Sequence, residues 1–201
     1  MLKKIVILGP ESTGKSTLCR QLAAHYNTEW VPEYAREYLL NNGIKYTYAD
    51  LLTIAKGQVE LENNFESGIN TQPDSYGVTT PLLHFTRNDD SQLITHNSQL
   101  LFIDTNLYVM KVWCEFVFGK CHQFILDQIV ERSYDLYLLC NIDLPWIADE
   151  LREYPDLLQR QQLYKIYTDL LINQAVPWVE ISGNHDQRLQ AAIGAVNKIL
   201  L

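Results

Sequence analysis

Apolar residues in this chain fall into short blocks whose spacing alternates between two patterns. Runs of aliphatic and β-branched residues at Lys3–Leu8, 29–31, 100–105, 134–140 and 177–181 read as strands. The runs around Phe102 and Leu138 hold little that is polar, as expected of strands covered on both faces. Between the strands, apolar positions recur at helical spacing. Leu18, Leu22 and Ala23 mark a helix over Lys15–Tyr26. A second helix follows Pro32-Glu33 and closes at Asn41-Asn42-Gly43, where glycine tolerates the left-handed turn that ends helices. Asp50 is expected to cap a third, which fades near Asn63-Asn64-Phe65. Further helices are expected over Leu107–Phe118, 124–130, 149–154, 157–175 and, capped by Asp186, 187–200. From 66 to 99 glycine, proline, asparagine and aspartate break every periodicity. That stretch is expected to be a surface insertion, with 82–85 and 92–95 paired as a hairpin across 88–90.

Strands alternating with helices predict an α/β three-layer sandwich, a mostly parallel sheet with helices on both faces. Ligands in such sheets bind beyond the carboxyl ends of the strands. Gly9, Glu33, Asp104 and Asn141 all fall there and are expected to converge.

The first strand runs into Gly9-Pro10-Glu11-Ser12-Thr13-Gly14-Lys15-Ser16-Thr17, which matches the phosphate-loop pattern G-x-x-x-x-G-K-[ST]. Gly9 and Gly14 let the backbone turn inward and present N–H groups to phosphate oxygens. The helix starting at Lys15 aims its positive end at the same anion. Lys15 would reach the β- and γ-phosphates, and the Ser16 hydroxyl would ligate Mg²⁺. Strand, loop and helix occur in the order the motif demands, so the chain is expected to bind a nucleoside triphosphate.

Bulk properties narrow the partners. A length of 201 residues suits one P-loop domain with an elaboration. A net charge of −8 argues against nucleic acid. No apolar run approaches the ~20 residues of a membrane span, so no membrane partner is expected and the cytoplasm is the expected compartment. Cys19, Cys114, Cys121 and Cys140 form no C-x-x-C pair and read as free thiols. The guanine-reading Asn-Lys-x-Asp motif, an Asp-x-x-Gly switch and a transporter signature are all absent. Assembly into a homo-oligomer is left open.

Asp104 ends an apolar strand as a Walker-B aspartate does, where it would help to hold Mg²⁺; its other reading is a cap for the helix that follows. Glu33 ends the second strand. It would take a proton from a substrate hydroxyl, ligate metal, or merely answer a helix dipole. Arg36, one turn on, shares its face. Asp149, Arg152 and Arg160 flank Pro155 in a segment, 145–160, that would form a lid, or an ordinary charged helix face. Most of the aromatics should be core, but one or two would stack on a planar, especially cationic, ring.

In that order, the phosphate loop, Pro32-Glu33-Tyr34-Ala35-Arg36-Glu37, Phe102-Ile103-Asp104-Thr105 and Pro145-Trp146-Ile147-Ala148-Asp149-Glu150-Leu151-Arg152 resemble the ribosylnicotinamide kinase domain of NadR-type bacterial NAD salvage proteins. The resemblance implies transfer of the ATP γ-phosphate to the 5′-hydroxyl of nicotinamide riboside, giving nicotinamide mononucleotide, with Mg²⁺ required. It implies catalytic roles for Lys15, Glu33, Asp104 and Arg152. It puts Gly9, Glu11, Ser12, Thr13, Gly14, Lys15, Ser16 and Thr17 on the nucleotide, and Ser16 and Asp104 at the metal. Tyr34, Arg36 and Trp113 join Glu33 and Asp104 at the acceptor, and Trp146, Asp149, Arg152 and Arg160 belong to the lid. The chain departs from the family at Glu150, where a glycine is often found, and in the length of 66–99. Neither a His-x-Gly-His adenylyltransferase motif nor a helix-turn-helix is present, so a stand-alone kinase is expected.

Overall fold

The computed structural model describes residues 1–70 and 99–201. Most of the expected insertion, including the hairpin over 82–85 and 92–95, lies outside the described residues. Among the described residues five strands form one parallel sheet in the order β2-β3-β1-β4-β5. They are β1 (Lys3–Leu8), β2 (Trp30–Val31), β3 (Leu100–Asp104), β4 (Leu136–Cys140) and β5 (Trp178–Ile181). Every residue of β3 and β4 is buried, as the apolar runs require of strands covered on both faces.

The helices are α1 (Lys15–Tyr26), α2 (Tyr34–Asn42), α3 (Tyr48–Asn70), α4 (Leu107–Phe118), α5 (Gln123–Glu131), α6 (Leu157–Ile172) and α7 (His185–Leu200). On one face, Leu18, Leu22 and Ala23 of α1 and Ala192 and Val196 of α7 pack on Ile5, Phe102 and Leu138. On the other, Val109 and Val112 of α4 and Leu163 and Tyr167 of α6 pack on Val6, Ile103 and Leu139. Outside that layer α2, α3, α4 and α5 enclose a smaller cluster around Ile54, Met110 and Ile125. The four cysteines are free, and all but Cys121 are buried. Among the described residues no helix is long and apolar enough to cross a membrane.

Several boundaries differ from the sequence reading. Thr47, not Asp50, caps α3. Its hydroxyl accepts from Asp50 N (3.3 Å), while the Asp50 carboxylate accepts from Thr47 N (2.7 Å). This reciprocal arrangement is a capping box. The same helix runs through Asn63-Asn64 to Asn70, and Asn63 accepts from the Arg132 guanidinium at 2.8 Å, a partner from another element. Asn184, not Asp186, caps α7, with Gln187 completing a capping box. The helix expected to reach residue 175 stops at Ile172, where the Gln174 side chain takes over the Leu171 and Val176 carbonyls. The helix expected over 149–154 is a turn. Asp149 accepts from Leu151 N at 3.1 Å, a local bond that competes with helix, and Pro155 follows.

Candidate active site

The site begins where β1 ends. Gly9 has φ 139°, and a Cβ there would lie 2.7 Å from the Cys140 carbonyl oxygen, so glycine is required for the loop to pass β4. The loop turns through Ser12 (φ 57°) and Gly14 (φ 79°) into α1. The buried Thr13 hydroxyl donates to Pro10 O at 2.8 Å, and Lys15 Nζ reaches the same carbonyl at 3.0 Å. The first bond of α1 runs from Leu18 N to Gly14 O, so the N–H groups of residues 15–17 have no intrahelical acceptor. Free donors, the dipole and an ammonium therefore meet at one concave spot, a ready anion site.

Strand register brings Asp104 to that spot. Ile7 pairs with Asp104, so the carboxylate lies beside the end of β1. The alternative role as a helix cap falls to Asn106, whose side chain accepts from Tyr108 N at 3.1 Å. Asp104 is only 1% exposed. Burial, then the nearby Glu33 charge, push its pKa up to about 7 against the opposing effects of Lys15 and the neighbouring Ser16 hydroxyl. Its Oδ1 has no hydrogen-bond partner among the described residues. Thr105, next in the chain, has φ 68°, strained for a β-branched residue and placed at the turn out of the strand.

Ser16 and Asp104 supply hard oxygen donors, one of them unpartnered, which fits a Mg²⁺ site. Among the described residues no group of three or more His, Cys, Asp or Glu is placed to hold a metal. A cation here would complete its shell with phosphate and water oxygens.

From the phosphate loop one cavity continues outward. Residues 9–17 line it, together with Glu33, Arg36, Tyr46, Trp113 and Arg152 and an apolar wall that includes Leu51, Ile54 and Met110. Glu33 is the N-cap residue of α2 but makes no capping bond, which leaves its carboxylate to the cavity. Arg36 pairs with Asp149 at 3.0 Å and so ties α2 to the 145–156 segment. Trp113 meets Tyr46 edge-on at 6.3 Å and Tyr154 at 5.3 Å, an aromatic corner.

Tyr34, expected at the acceptor, is elsewhere. Its ring packs where any side chain at Gly57 would collide, and its N–H donates to Gln58 Oε1 at 2.9 Å. Tyr46 takes the place in the wall that the sequence reading gave to Tyr34. Both residues are tyrosines in sequence, and it is the notch at Gly57 in α3 that takes the Tyr34 ring.

The segment after β4 folds back over the phosphate loop. The Glu11 carboxylate accepts from Glu153 N (3.0 Å) and Tyr154 N (3.2 Å). Burial raises the Glu11 pKa, partly offset by those two N–H groups. Ser12 Oγ accepts from Ile147 N at 3.0 Å and from Arg152 Nη1 at 3.3 Å, and Arg152 also donates to Ile147 O. Trp146 lies 6.0 Å from the Arg152 guanidinium and 5.4 Å from that of Arg160. Arg160 is buried, with contacts of 3.4 and 3.5 Å to Ile142 O and Leu144 O. Of the expected lid residues, only Arg152 lines the cavity. Trp146, Asp149 and Arg160 hold the segment in place around it. Asn141 lies on the β5 side, where its amide donates to Glu180 and Ser182.

The sequence reading missed the contact of Glu11 with the lid backbone, and it missed Arg188. In the sequence, Arg188 is one polar residue in Asn184-His185-Asp186-Gln187-Arg188, with no signal that it is buried behind the phosphate loop.

The family model described as an AAA domain matches residues 4–188. The trifunctional NAD biosynthesis/regulator protein NadR of Escherichia coli is 24% identical over 204 residues, covering 99% of this chain and 43% of that protein. This chain thus spans under half the length of the curated relatives it matches. A crystal structure of NadR protein in complex with NR superposes with TM-score 0.73 at 20% identity, covering 98% of this chain and 49% of that one. The thymidylate kinase from Ehrlichia chaffeensis matches with TM-score 0.60 at 12% identity, over 99% of this chain and 98% of that one. At these identities the likeness to solved structures establishes the fold, that of a P-loop NTPase. By the match over most of its length, the chain belongs to the AAA domain family, and within it resembles the P-loop kinase domain of NadR.

Proposed function

We propose that this chain is a small-molecule kinase that transfers the γ-phosphate of ATP to the 5′-hydroxyl of nicotinamide riboside, giving nicotinamide mononucleotide. One observation carries the reading. A single cavity is lined by the whole phosphate loop together with a carboxylate, an arginine and an aromatic corner. A module that only bound or hydrolysed ATP would have no use for the aromatic corner and the apolar wall beside it.

In this reading the backbone N–H groups of the phosphate loop, Pro10 excepted, and Lys15 hold the triphosphate, and Glu33 accepts the proton of the attacking hydroxyl. Arg36 and Trp113 orient the acceptor, and the aromatic corner suits a pyridinium ring. Arg152, carried by the lid at 145–160, offsets charge on the moving phosphoryl group. A Mg²⁺ held by Ser16 and Asp104 would neutralise charge on the phosphates. The whole chain, 1–201, acts in this reading as one kinase unit in the cytoplasm, without nucleic acid or membrane partners.

A second reading is a kinase for another nucleoside. The apolar wall of Leu51, Ile54 and Met110 would accept a neutral base. ADP release from Mg·ATP with nicotinamide riboside, adenosine, cytidine, thymidine or no acceptor separates the two. The proposal expects release with nicotinamide riboside above all. Preference for another nucleoside would replace it with the second reading, and indifference to every acceptor would refute both.

A further inference from the structure

Arg188 lies in the first turn of α7, 2% exposed, and heads the largest fully buried side chains of the described residues. Its guanidinium holds three loops at once. Nε donates to Gly183 O after β5 (2.7 Å), Nη1 to Thr13 O in the phosphate loop (2.9 Å) and Nη2 to Asn141 O after β4 (3.0 Å). Nη2 is also paired with Asp143, whose other carboxylate oxygen accepts from Gly183 N at 2.6 Å.

Stability does not ask for this. A buried ion pair is on average no better than well-packed apolar side chains. What arginine adds is direction. A trans peptide is planar, with its C=O and N–H pointing opposite ways. With the Thr13 carbonyl held toward Arg188, the Gly14 N–H of the same peptide must point away from it, toward the concave side of the loop. The Thr13 hydroxyl, bonded to Pro10 O at 2.8 Å, pins that residue from its side chain as well. An amide that is already aimed need not reorganise when an anion arrives.

We propose that Arg188 is a positioning residue: by holding the Thr13 carbonyl it fixes the Gly14 amide in its phosphate-binding orientation, and it locks that orientation to the ends of β4 and β5. The inference rests on the reading of 9–17 as a phosphate site and is independent of the acceptor.

The test is calorimetric binding of Mg·ATP and of inorganic tripolyphosphate to wild type, Arg188→Gln, Arg188→Lys and Asp143→Asn, with the melting transition and the acceptor KM measured in parallel. Arg188→Gln is expected to weaken both ligands by the same factor, about tenfold or more. The acceptor KM should stay within about twofold, since the carbonyls Arg188 holds, on Thr13, Asn141 and Gly183, belong to none of the residues of the acceptor wall. Arg188→Lys should recover part of the loss, and Asp143→Asn should show a smaller loss of the same kind. A folded Arg188→Gln with wild-type affinity for both ligands overturns the proposal. So does a loss that extends equally to the acceptor, which would mean general loosening. If Arg188→Gln does not fold, Arg188→Lys and Asp143→Asn decide, and wild-type affinity in both overturns it. A wild type that binds tripolyphosphate but leaves nicotinamide riboside unphosphorylated refutes the acceptor reading alone.

Discussion

Two carboxylates are buried at opposite ends of the sheet, and they are handled differently. Asp104 lies at the carboxyl ends of the strands; Glu62, in α3, lies at the other end, near Lys4 and the start of β4. Each has one oxygen without a hydrogen-bond partner among the described residues, and burial raises the pKa of both. Glu62 has its compensation built in. Its Oε2 accepts from Arg132 Nε at 3.2 Å and from the Tyr134 hydroxyl at 3.0 Å. Asp104 has the Ser16 hydroxyl and, as its strongest neighbouring charge, the like charge of Glu33, which Lys15 opposes. A fold that only minimised energy would not set a second carboxylate beside a buried one. The rule is kept at one end of the sheet and broken at the other, and the broken end is where chemistry is expected.

Substitutions can break this comparison. The largest effect is expected from Lys15→Ala. Transfer should fall by about a thousandfold or more while the melting transition stays close to that of wild type, because Lys15 meets only one carbonyl in the loop. Unchanged turnover would end the assignment.

Glu33→Gln comes next. It should lower kcat by about a hundredfold and leave ATP affinity nearly unchanged. Loss of ATP binding instead would assign Glu33 to the metal. The same variant has a pH signature. The raised Asp104 pKa, about 7 against 3.8, means that the folded chain keeps a proton the unfolded chain has released between those values. The stability of the nucleotide-free protein should therefore fall as pH rises through that window. Removing the Glu33 charge should shift the window to lower pH, which denaturant titrations at several pH values would show.

Trp113→Leu should raise the acceptor KM by a few-fold and leave the ATP affinity alone, the scale of one ring contact. The smallest effect on transfer is expected at the far end of the sheet. Arg132→Met strands the Glu62 carboxylate and should cost about 3 kcal/mol of stability, with kcat within about twofold of wild type. An Arg132 variant that lost turnover while still folded would erase the distinction between the two ends.

What was legible in the sequence follows the same division. The phosphate loop could be read because its chemistry is local: a short stretch of backbone between two glycines at fixed spacing, followed by Lys15 and Ser16. The place of Asp104 at a strand end could be read because an apolar run stops there. The helical lid could not, since the Asx turn at Asp149 and Pro155 overrode its charge pattern. Nor could the choice between Tyr34 and Tyr46, which depends on a notch at Gly57 in a different helix. The continuation of α3 past Asn63 depends on a contact with Arg132, distant in sequence. Arg188 was hidden for the strongest form of this reason, since all its partners lie in loops that meet only after the sheet has formed.

The central claim is that the phosphate loop and the aromatic corner serve one reaction. The direct measurement is the initial rate of ADP formation from Mg·ATP with and without nicotinamide riboside, with the product identified by mass. The account predicts riboside-dependent ADP matched one for one by nicotinamide mononucleotide, and neither with Lys15→Ala. ADP formed at the same rate in both reactions, with no nicotinamide mononucleotide, would contradict it.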